Sequence, residues 1–268
     1  MTVLINGEAK DCIASSDRGL QYGDGLFETI AVSDGQCDHW YEHMSRLAEG
    51  CKRLNIPEPN AQQLLSEAQQ LYAGKHQVVL KIIITRGSGG RGYRMPDQVT
   101  PTRILSVHPW PDFPSINTSV GVQLHLCKTQ LSSQTALAGI KHLNRLEQVI
   151  ARNEWHDPDI SEGLMSDAKG NIVEGTMSNY FAVMNGELVT PKIVDCGVAG
   201  IMRAHIMRQA VLHEITVQEK NIKLEELLSA DELFICNSII GVWPVRQFQD
   251  KHYKVIGDVT AQIMNGLI

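Results

Sequence analysis

Ala138-Gly-Ile-Lys-His-Leu-Asn-Arg-Leu-Glu147 places one lysine, Lys141, directly after small and apolar residues. The residues after Lys141 read as a helix start. Asn144 is a candidate cap and Glu147 stands three residues on, the spacing of a capping box. Leu143, Leu146, Val149 and Ile150 then recur at helical spacing. The pattern holds Lys141 just ahead of a helix rather than on its solvent face. A lysine sheltered from water can lose its proton near neutral pH and act as nucleophile or base. On this stretch alone an ordinary loop lysine is the alternative, because most lysines are solvated.

Beyond this stretch, 268 residues suffice for one large domain or two smaller ones. Hydrophobic residues make up 43% and charged residues 20%, a globular rather than a disordered balance. A net charge of −6, with no long basic cluster, argues against a nucleic-acid partner. No apolar run is long enough to cross a membrane. Cysteines stand at 12, 37, 51, 127, 196 and 236, none in Cys-x-x-Cys spacing. With no signal-peptide pattern at the start, this implies a reducing cytoplasm rather than a disulfide framework. His39 and His43 are four apart, but no third ligand or HExxH pattern accompanies them, so no metal is expected.

The chain alternates strands and helices. Met1 to Gly7 reads as a strand running into a turn, with Cys12 to Ala14 as a second short strand. Asp17 to Gly25 is a glycine-rich bend without the Gly-Lys-Ser/Thr ending of a phosphate loop. Leu26 to Val32 is a strand ending in the turn Ser33-Asp34-Gly35. A helix is predicted from about Tyr41 to Leu54, with Met44, Leu47, Cys51 and Leu54 on one face and Arg46 well off it. A second helix spans Ala61 to Tyr72. Gln77 to Thr85 is the strongest β-branched strand, and Arg103 to Val107 is a further one. His108-Pro-Trp-Pro-Asp-Phe-Pro114 is the best linker candidate. Residues 1–108 then form a smaller N-terminal α/β domain, 109–118 a proline-rich linker, and 119–268 a larger C-terminal domain.

Within the second part, Val120 to Leu126 and Glu162 to Ser166 read as strands. Asn171 to Val183 is a pair of strands or a bend, and Glu232 to Ser238 and Ile239 to Val245 are strands. Helices are expected from Ala199 to Leu212, over Leu224 to Leu228, and from Ile256 to Leu267. Three features carry chemical interest. Arg86-Gly-Ser-Gly-Gly-Arg-Gly-Tyr93 offers backbone freedom and two arginines suited to a carboxylate, with a plain surface loop as the alternative. Glu174 stands between Val173 and Gly175 in an otherwise uncharged run, and needs a partner if buried. The helix opening at Ala199-Gly-Ile-Met-Arg203 presents free N–H groups, as any helix start does.

Singly these signals are bland, but their order is distinctive. Gly23-Asp24-Gly25 with Phe27-Glu28-Thr29, His43-x-x-Arg46-Leu47, Lys141, Glu174-Gly175, Gly200-Ile201-Met202-Arg203, and Asn237-Ser238 before Val242-x-Pro244-Val245 succeed one another along nearly the whole chain. This succession resembles the class IV aminotransferase family, which uses pyridoxal phosphate (PLP) on a two-domain fold. The resemblance implies a mixed α/β, D-amino acid aminotransferase-like architecture whose larger C-terminal domain binds PLP, and a homodimer. Within the family, Arg86 to Tyr93, Thr102 to Val107 and Ala138 to Val149 are similar to the lyase branch. That similarity implies conversion of 4-amino-4-deoxychorismate to 4-aminobenzoate and pyruvate, a step of folate biosynthesis. The alternative is a PLP transaminase of D-amino or branched-chain amino acids.

The resemblance also implies roles. Lys141 is the covalent anchor of PLP and then the base. Glu174 faces the pyridine nitrogen and keeps it protonated. Gly200, Ile201 and Met202 hold the phosphate, completed by Arg46 and the Ser238 hydroxyl. Arg91 and Tyr93 are the candidates for the substrate carboxylates, and Thr29 or Tyr93 for the proton donor. Tyr93 stands where related D-amino acid aminotransferases carry histidine, which weakens that alternative.

Overall fold

The computed structural model describes residues 3–254 and 256–267. Met1 and Thr2, included in the expected first strand, lie outside the described residues. The chain divides into two compact units, Met1–Pro111 with Ile140–Asn144, and Asp112–Gly139 with Arg145–Ile268. Ile140–Asn144 is thus a segment that returns to the first unit from within the second half of the sequence.

The first unit contains β1 (Val3–Ile5), β2 (Glu8–Ala9), α1 (Arg18–Tyr22), β3 (Gly25–Ser33), β4 (Gln36–Cys37), α2 (Trp40–Leu54), α3 (Ala61–Tyr72), β5 (Gln77–Thr85) and β6 (Thr102–Pro109). Its strands form an antiparallel sheet in the order β2-β1-β6-β5-β3-β4. The β-branched run of β5 pairs along its full length with β3, from Gln77 opposite Ser33 to Thr85 opposite Gly25. Side chains alternate between the two faces. Leu26, Glu28, Ile30, Leu80, Ile82 and Leu105 are buried on the face that α2 and α3 cover, whereas Phe27, Thr29, Lys81 and Ile83 are half-buried on the other.

Two helix ends are set by local chemistry. Asn60 caps α3 by accepting the Gln63 N–H at 2.9 Å. Asn55 ends α2 in the left-handed region, at φ 52°. The second strand forms at Glu8–Ala9 rather than at Cys12 to Ala14, because the turn at Asn6 and Gly7 reverses the chain at once. Inside the glycine-rich bend the chain completes α1, whose N–H ends are met by the Asp17 carboxylate.

The second unit contains α4 (Ile116–Ser119), β7 (Val122–Leu126), α5 (Leu146–Arg152), β8 (Ile160–Ser166), β9 (Asn171–Gly175), β10 (Asn179–Met184), β11 (Glu187–Pro191) and α6 (Ile201–Leu212). It continues through β12 (Val217–Lys220), β13 (Ile222–Lys223), α7 (Leu224–Ser229), β14 (Glu232–Asn237), β15 (Gly241–Phe248), β16 (Lys251–His252) and α8 (Asp258–Asn265). The mixed sheet runs β12-β11-β10-β14-β15-β7-β8-β9-β13, with β16 on β15. Both of its faces are packed. In β10, Tyr180 and Ala182 join one apolar cluster with Trp243 and Phe248, while Phe181 and Val183 join another with Ile206 of α6 and Ile263 of α8. Phe181 stacks on Phe234 with ring centroids 5.2 Å apart. The expected closing helix is shorter, Asp258–Asn265, and Val255 and Ile268 lie outside the described residues.

Ile82 is fully buried at the centre of the first sheet. Ile82→Ala is expected to cost about 2–5 kcal/mol through lost burial and a residual cavity. Urea denaturation should show a lower midpoint at an unchanged slope.

Candidate active site

Lys141 is held by backbone pairing. The Phe27 N–H donates to the Lys141 carbonyl at 2.9 Å and the Leu143 N–H to the Gly25 carbonyl at 3.0 Å, with Leu26 directly opposite His142. The segment therefore extends the edge of β3, and alternation sends Lys141 to the side of Phe27. Its Nζ lies 4.4 Å from the Phe27 ring centroid. Gly25 makes this approach possible, since a Cβ there would stand 2.5 Å from the Ile84 carbonyl and 2.8 Å from Leu143 Cδ1.

The expected capping box does not form. Asn144 donates to the Gly23 carbonyl at 3.4 Å, α5 starts at Leu146 with Arg145 as its cap residue, and Glu147 instead accepts the Ser132 N–H at 3.0 Å. Tertiary partners took the groups that the local pattern assigned to the helix end. Leu146, Val149 and Ile150 are exposed rather than packed.

Arg46 also differs from its expected placement. The buried residues of α2 are His43, Leu47, Gly50 and Cys51, and Arg46 lies beside them. Its Nε donates to Glu28 Oε1 at 2.9 Å and its Nη2 to Oε2 at 2.5 Å. His43 Nδ1 meets the same Oε2 at 2.7 Å. The bidentate pair fixes the plane of the guanidinium. Burial by itself raises the Glu28 pKa, but the Arg46 charge and the hydrogen bonds from His43 and Arg46 outweigh it and bring it down to about 2. Burial pushes the His43 pKa down, against the pull of Glu28, so the ring is neutral at pH 7 and its Nδ1–H is the donor. Thr29, one residue beyond Glu28, lies on the opposite face with Phe27.

The glycine-rich loop keeps one of its two arginines for the fold. Arg86 is 1% exposed; it grips Asp24 through Nε at 2.8 Å and Nη2 at 2.9 Å, and donates to the carbonyls of Leu54 and Asn55. That corrects the expectation of two arginines ready for a carboxylate. Arg18, also paired with Asp24, holds the loop by donating to the carbonyls of Gly92, Tyr93 and Arg94. Arg91 is exposed, and Tyr93 is 86% exposed with its ring edge-on to Tyr22.

In the second unit Glu174 is buried in β9, and its Oε2 accepts the Val198 N–H at 2.7 Å. Gly197, at φ 87°, gives the turn that brings this N–H in. Arg145 is near enough for its charge to act on Glu174; burial lowers the Arg145 pKa while Glu174 and Glu147 hold it up. Asn179 clamps the start of α6, accepting the Gly200 N–H at 3.1 Å and donating to the Val198 carbonyl at 3.0 Å. The first intrahelical bond runs from Ala204 N–H to the Gly200 carbonyl, so the N–H groups of Ile201 and Met202 precede the ladder. Gly200 has no Cβ to strike Asn179 Oδ1.

Glu162 holds the turn between Glu174 and Asn179. Its carboxylate, 2% exposed, accepts the N–H groups of Gly163, Thr176 and Met177 and the hydroxyls of Thr176 and Ser178. Ser238 comes after β14 in a turn fixed by Asn237, whose Oδ1 accepts the N–H groups of Ile239 and Ile240.

Lys141, Arg46 and Thr29 lie in the first unit, and Glu174, Gly200, Ile201, Met202 and Ser238 lie in the second. A family model described as amino-transferase class IV matches residues 25–248. The chain belongs to the class IV aminotransferase family. It is 34% identical to aminodeoxychorismate lyase of Vibrio harveyi over 266 residues, covering 98% of each chain. It is similar to 4-amino-4-deoxychorismate lyase from Pseudomonas aeruginosa, with a TM-score of 0.94 and 43% identity over 99% of this chain and 97% of that one. It shares its fold with the branched-chain amino acid aminotransferase from Escherichia coli, at a TM-score of 0.85 and 24% identity over 98% and 92% of the two chains.

A class IV aminotransferase uses PLP, and each unit holds groups whose chemistry suits it: the first a half-buried lysine, the second a buried carboxylate and a glycine-opened start of a twelve-residue helix. Sequence reasoning missed Glu28, Arg145, Glu162 and Asn179. Glu28 and Glu162 carried a signal, since each is a carboxylate inside an apolar strand pattern.

The Glu28 pair yields a pH prediction. Its folded pKa of about 2 lies below the ordinary 4.5, so the stability it contributes is full above pH 4.5 and is lost as pH falls toward 2. Glu28→Gln, which removes the Glu28 charge from beside Arg46, should cost about 3–5 kcal/mol at pH 7. In urea denaturation the gap to the parent protein should narrow steadily below pH 4.5.

Proposed function

We propose that this protein converts 4-amino-4-deoxychorismate to 4-aminobenzoate and pyruvate, with PLP anchored on Lys141. The observation that supports this best is the match to two lyases over nearly the whole chain, combined with Lys141 fixed on the edge of β3. Glu174 is the partner of the pyridine nitrogen. The N–H groups of Ile201 and Met202, opened by Gly200, with Arg46 and Ser238, take the phosphate. Bound there, PLP supplies an electron sink for the carbon that carries the substrate amine.

Lys141 Nζ takes the proton from that carbon. The ring C–O bond to the enolpyruvyl group then breaks, the ring becomes aromatic, and the departing enolpyruvate gains a proton to become pyruvate. Atoms balance with no oxidant or reductant. Glu28 and His43 orient Arg46, and Glu162 and Asn179 orient the backbone beside Glu174 and Gly200. Thr29 is the proposed proton donor to the leaving group, and Arg91 and Tyr93 are proposed carboxylate contacts. The product belongs to folate biosynthesis, and free cysteines fit a cytoplasmic setting. A homodimer is part of this reading, supported by the exposed apolar residues Leu146, Val149 and Ile150 on α5.

Incubation of the purified, PLP-loaded protein with 4-amino-4-deoxychorismate should release 4-aminobenzoate. Lys141→Ala should lose the bound-cofactor absorbance, and its turnover should fall by at least about 10²–10⁴. A parent protein that makes no 4-aminobenzoate, but converts its cofactor to the amine form with D-amino or branched-chain amino acids, would be a transaminase instead. Sedimentation should give twice the 29.7 kDa chain mass.

A further inference from the structure

Ser88, Gly89, Gly90 and Gly92 give the loop after β5 the composition of a flexible linker. The structure holds it at two levels instead, both from the short stretch that opens into α1. At the base, Asp17 bridges Ser88, the Arg18 N–H donates to the Gly87 carbonyl at 2.9 Å, and the Gly89 N–H donates to the Ser16 carbonyl at 3.1 Å. At the tip, the Arg18 guanidinium donates to the carbonyls of Gly92 at 3.0 Å, Tyr93 at 3.2 Å and Arg94 at 3.5 Å. Tyr22, one turn along α1, packs its ring 4.8 Å from the guanidinium carbon, and its hydroxyl accepts the Gly92 N–H at 3.3 Å.

Arg18 and Arg86 share the single carboxylate of Asp24, so these three side chains carry one positive charge more than they cancel. Arg18 is only 3% exposed. A buried guanidinium needs partners for its N–H groups. Asp24 meets one of them, and the loop carbonyls meet others. Moving the tip away would strand buried donors, so the tip is fixed by the charge beneath it rather than by its own glycine-rich sequence.

The loop also leaves the sheet at the end that holds Lys141. Thr85, the last residue of β5, stands opposite Gly25, and the Gly25 carbonyl accepts the Leu143 N–H. The carbonyl of Gly23, which ends α1, accepts from Asn144 at 3.4 Å. Residues 16–25 therefore touch the loop on one side and the Lys141 segment on the other.

We propose that Arg18 is a positioning residue for the substrate: by clamping residues 92–94 it sets Arg91 and Tyr93 in place before the substrate arrives. This rests on the lyase reading, in which that loop contacts the substrate. Arg18 itself touches no reacting atom. It orders the loop in advance, and so removes an entropy cost that substrate binding would otherwise carry.

The test compares the PLP-loaded parent with Arg18→Met, Arg18→Lys and Tyr22→Phe. Arg18→Met leaves Asp24 paired with Arg86, so no carboxylate loses its counter-charge. Amide hydrogen exchange reports on the loop, KM and kcat for 4-amino-4-deoxychorismate on the substrate, and the cofactor absorbance on the lysine. Arg18→Met should speed exchange at Gly92 and its neighbours by about 10-fold or more. It should raise KM by about 10-fold, the scale of one charge-assisted hydrogen bond, with kcat changed less and the absorbance unchanged. Arg18→Lys keeps the charge without the fork, and should fall between parent and Arg18→Met. Tyr22→Phe loses only the hydroxyl, and should move exchange and KM the same way by about 2- to 5-fold. Faster exchange with KM at the parent value, a raised KM without faster exchange, or no change in either overturns the assignment. Should Arg18→Met fail to fold, Tyr22→Phe decides by the same comparison. A parent protein that releases no 4-aminobenzoate defeats the lyase reading separately. The clamp is then decided by the same exchange measurements, with KM taken for the amino acid that converts the cofactor to its amine form.

Discussion

Two main-chain hydrogen bonds, from Phe27 to Lys141 and from Leu143 to Gly25, fix the backbone at Lys141. They make Lys141 part of a β-ladder, so its position is tied to that of β3. That strand in turn is set by nine paired positions with β5. Because alternate residues of β3 point opposite ways, the same backbone sends Phe27 and Thr29 to the side of Lys141 and commits Leu26 and Glu28 to the helix-covered core. Substituting Gly25 would press a side chain against the Ile84 carbonyl and Leu143, and would shift both bonds together.

Buried carboxylates do the rest of the positioning. Glu28 holds Arg46, and Asp24 holds Arg18 and Arg86. Such pairs add little net stability compared with apolar packing, yet removing one partner is costly, so they favour one geometry over its neighbours. Among the described residues no cation pairs with Glu162. Its charge is met by backbone and hydroxyl donors, which gather the turn from Thr176 to Ser178 and so set the strands carrying Glu174 and Asn179.

The fold is shared by lyases and transaminases, so architecture by itself leaves the reaction open. Arg86, which looked available, is spent on the fold, whereas Arg91 of the same loop is exposed.

The element pattern and the family are legible along the chain alone. The β-branched run of β5, the apolar spacing of α2 and α3, and the ordered motifs around Lys141, Glu174 and Gly200 are local or linear signals, readable because periodicity and spacing are properties of the chain itself. The destinations of the polar side chains were settled only by packing. Asn144 and Glu147 carry the letters of a capping box, but Gly23 and Ser132, distant in sequence, took their hydrogen bonds. Arg46 sits off the apolar stripe in the helical pattern, yet it lies against the core because Glu28 on another element compensates its charge. Each of these outcomes depends on a partner many residues away, and pairing across that distance is set by the packed chain rather than by the local sequence.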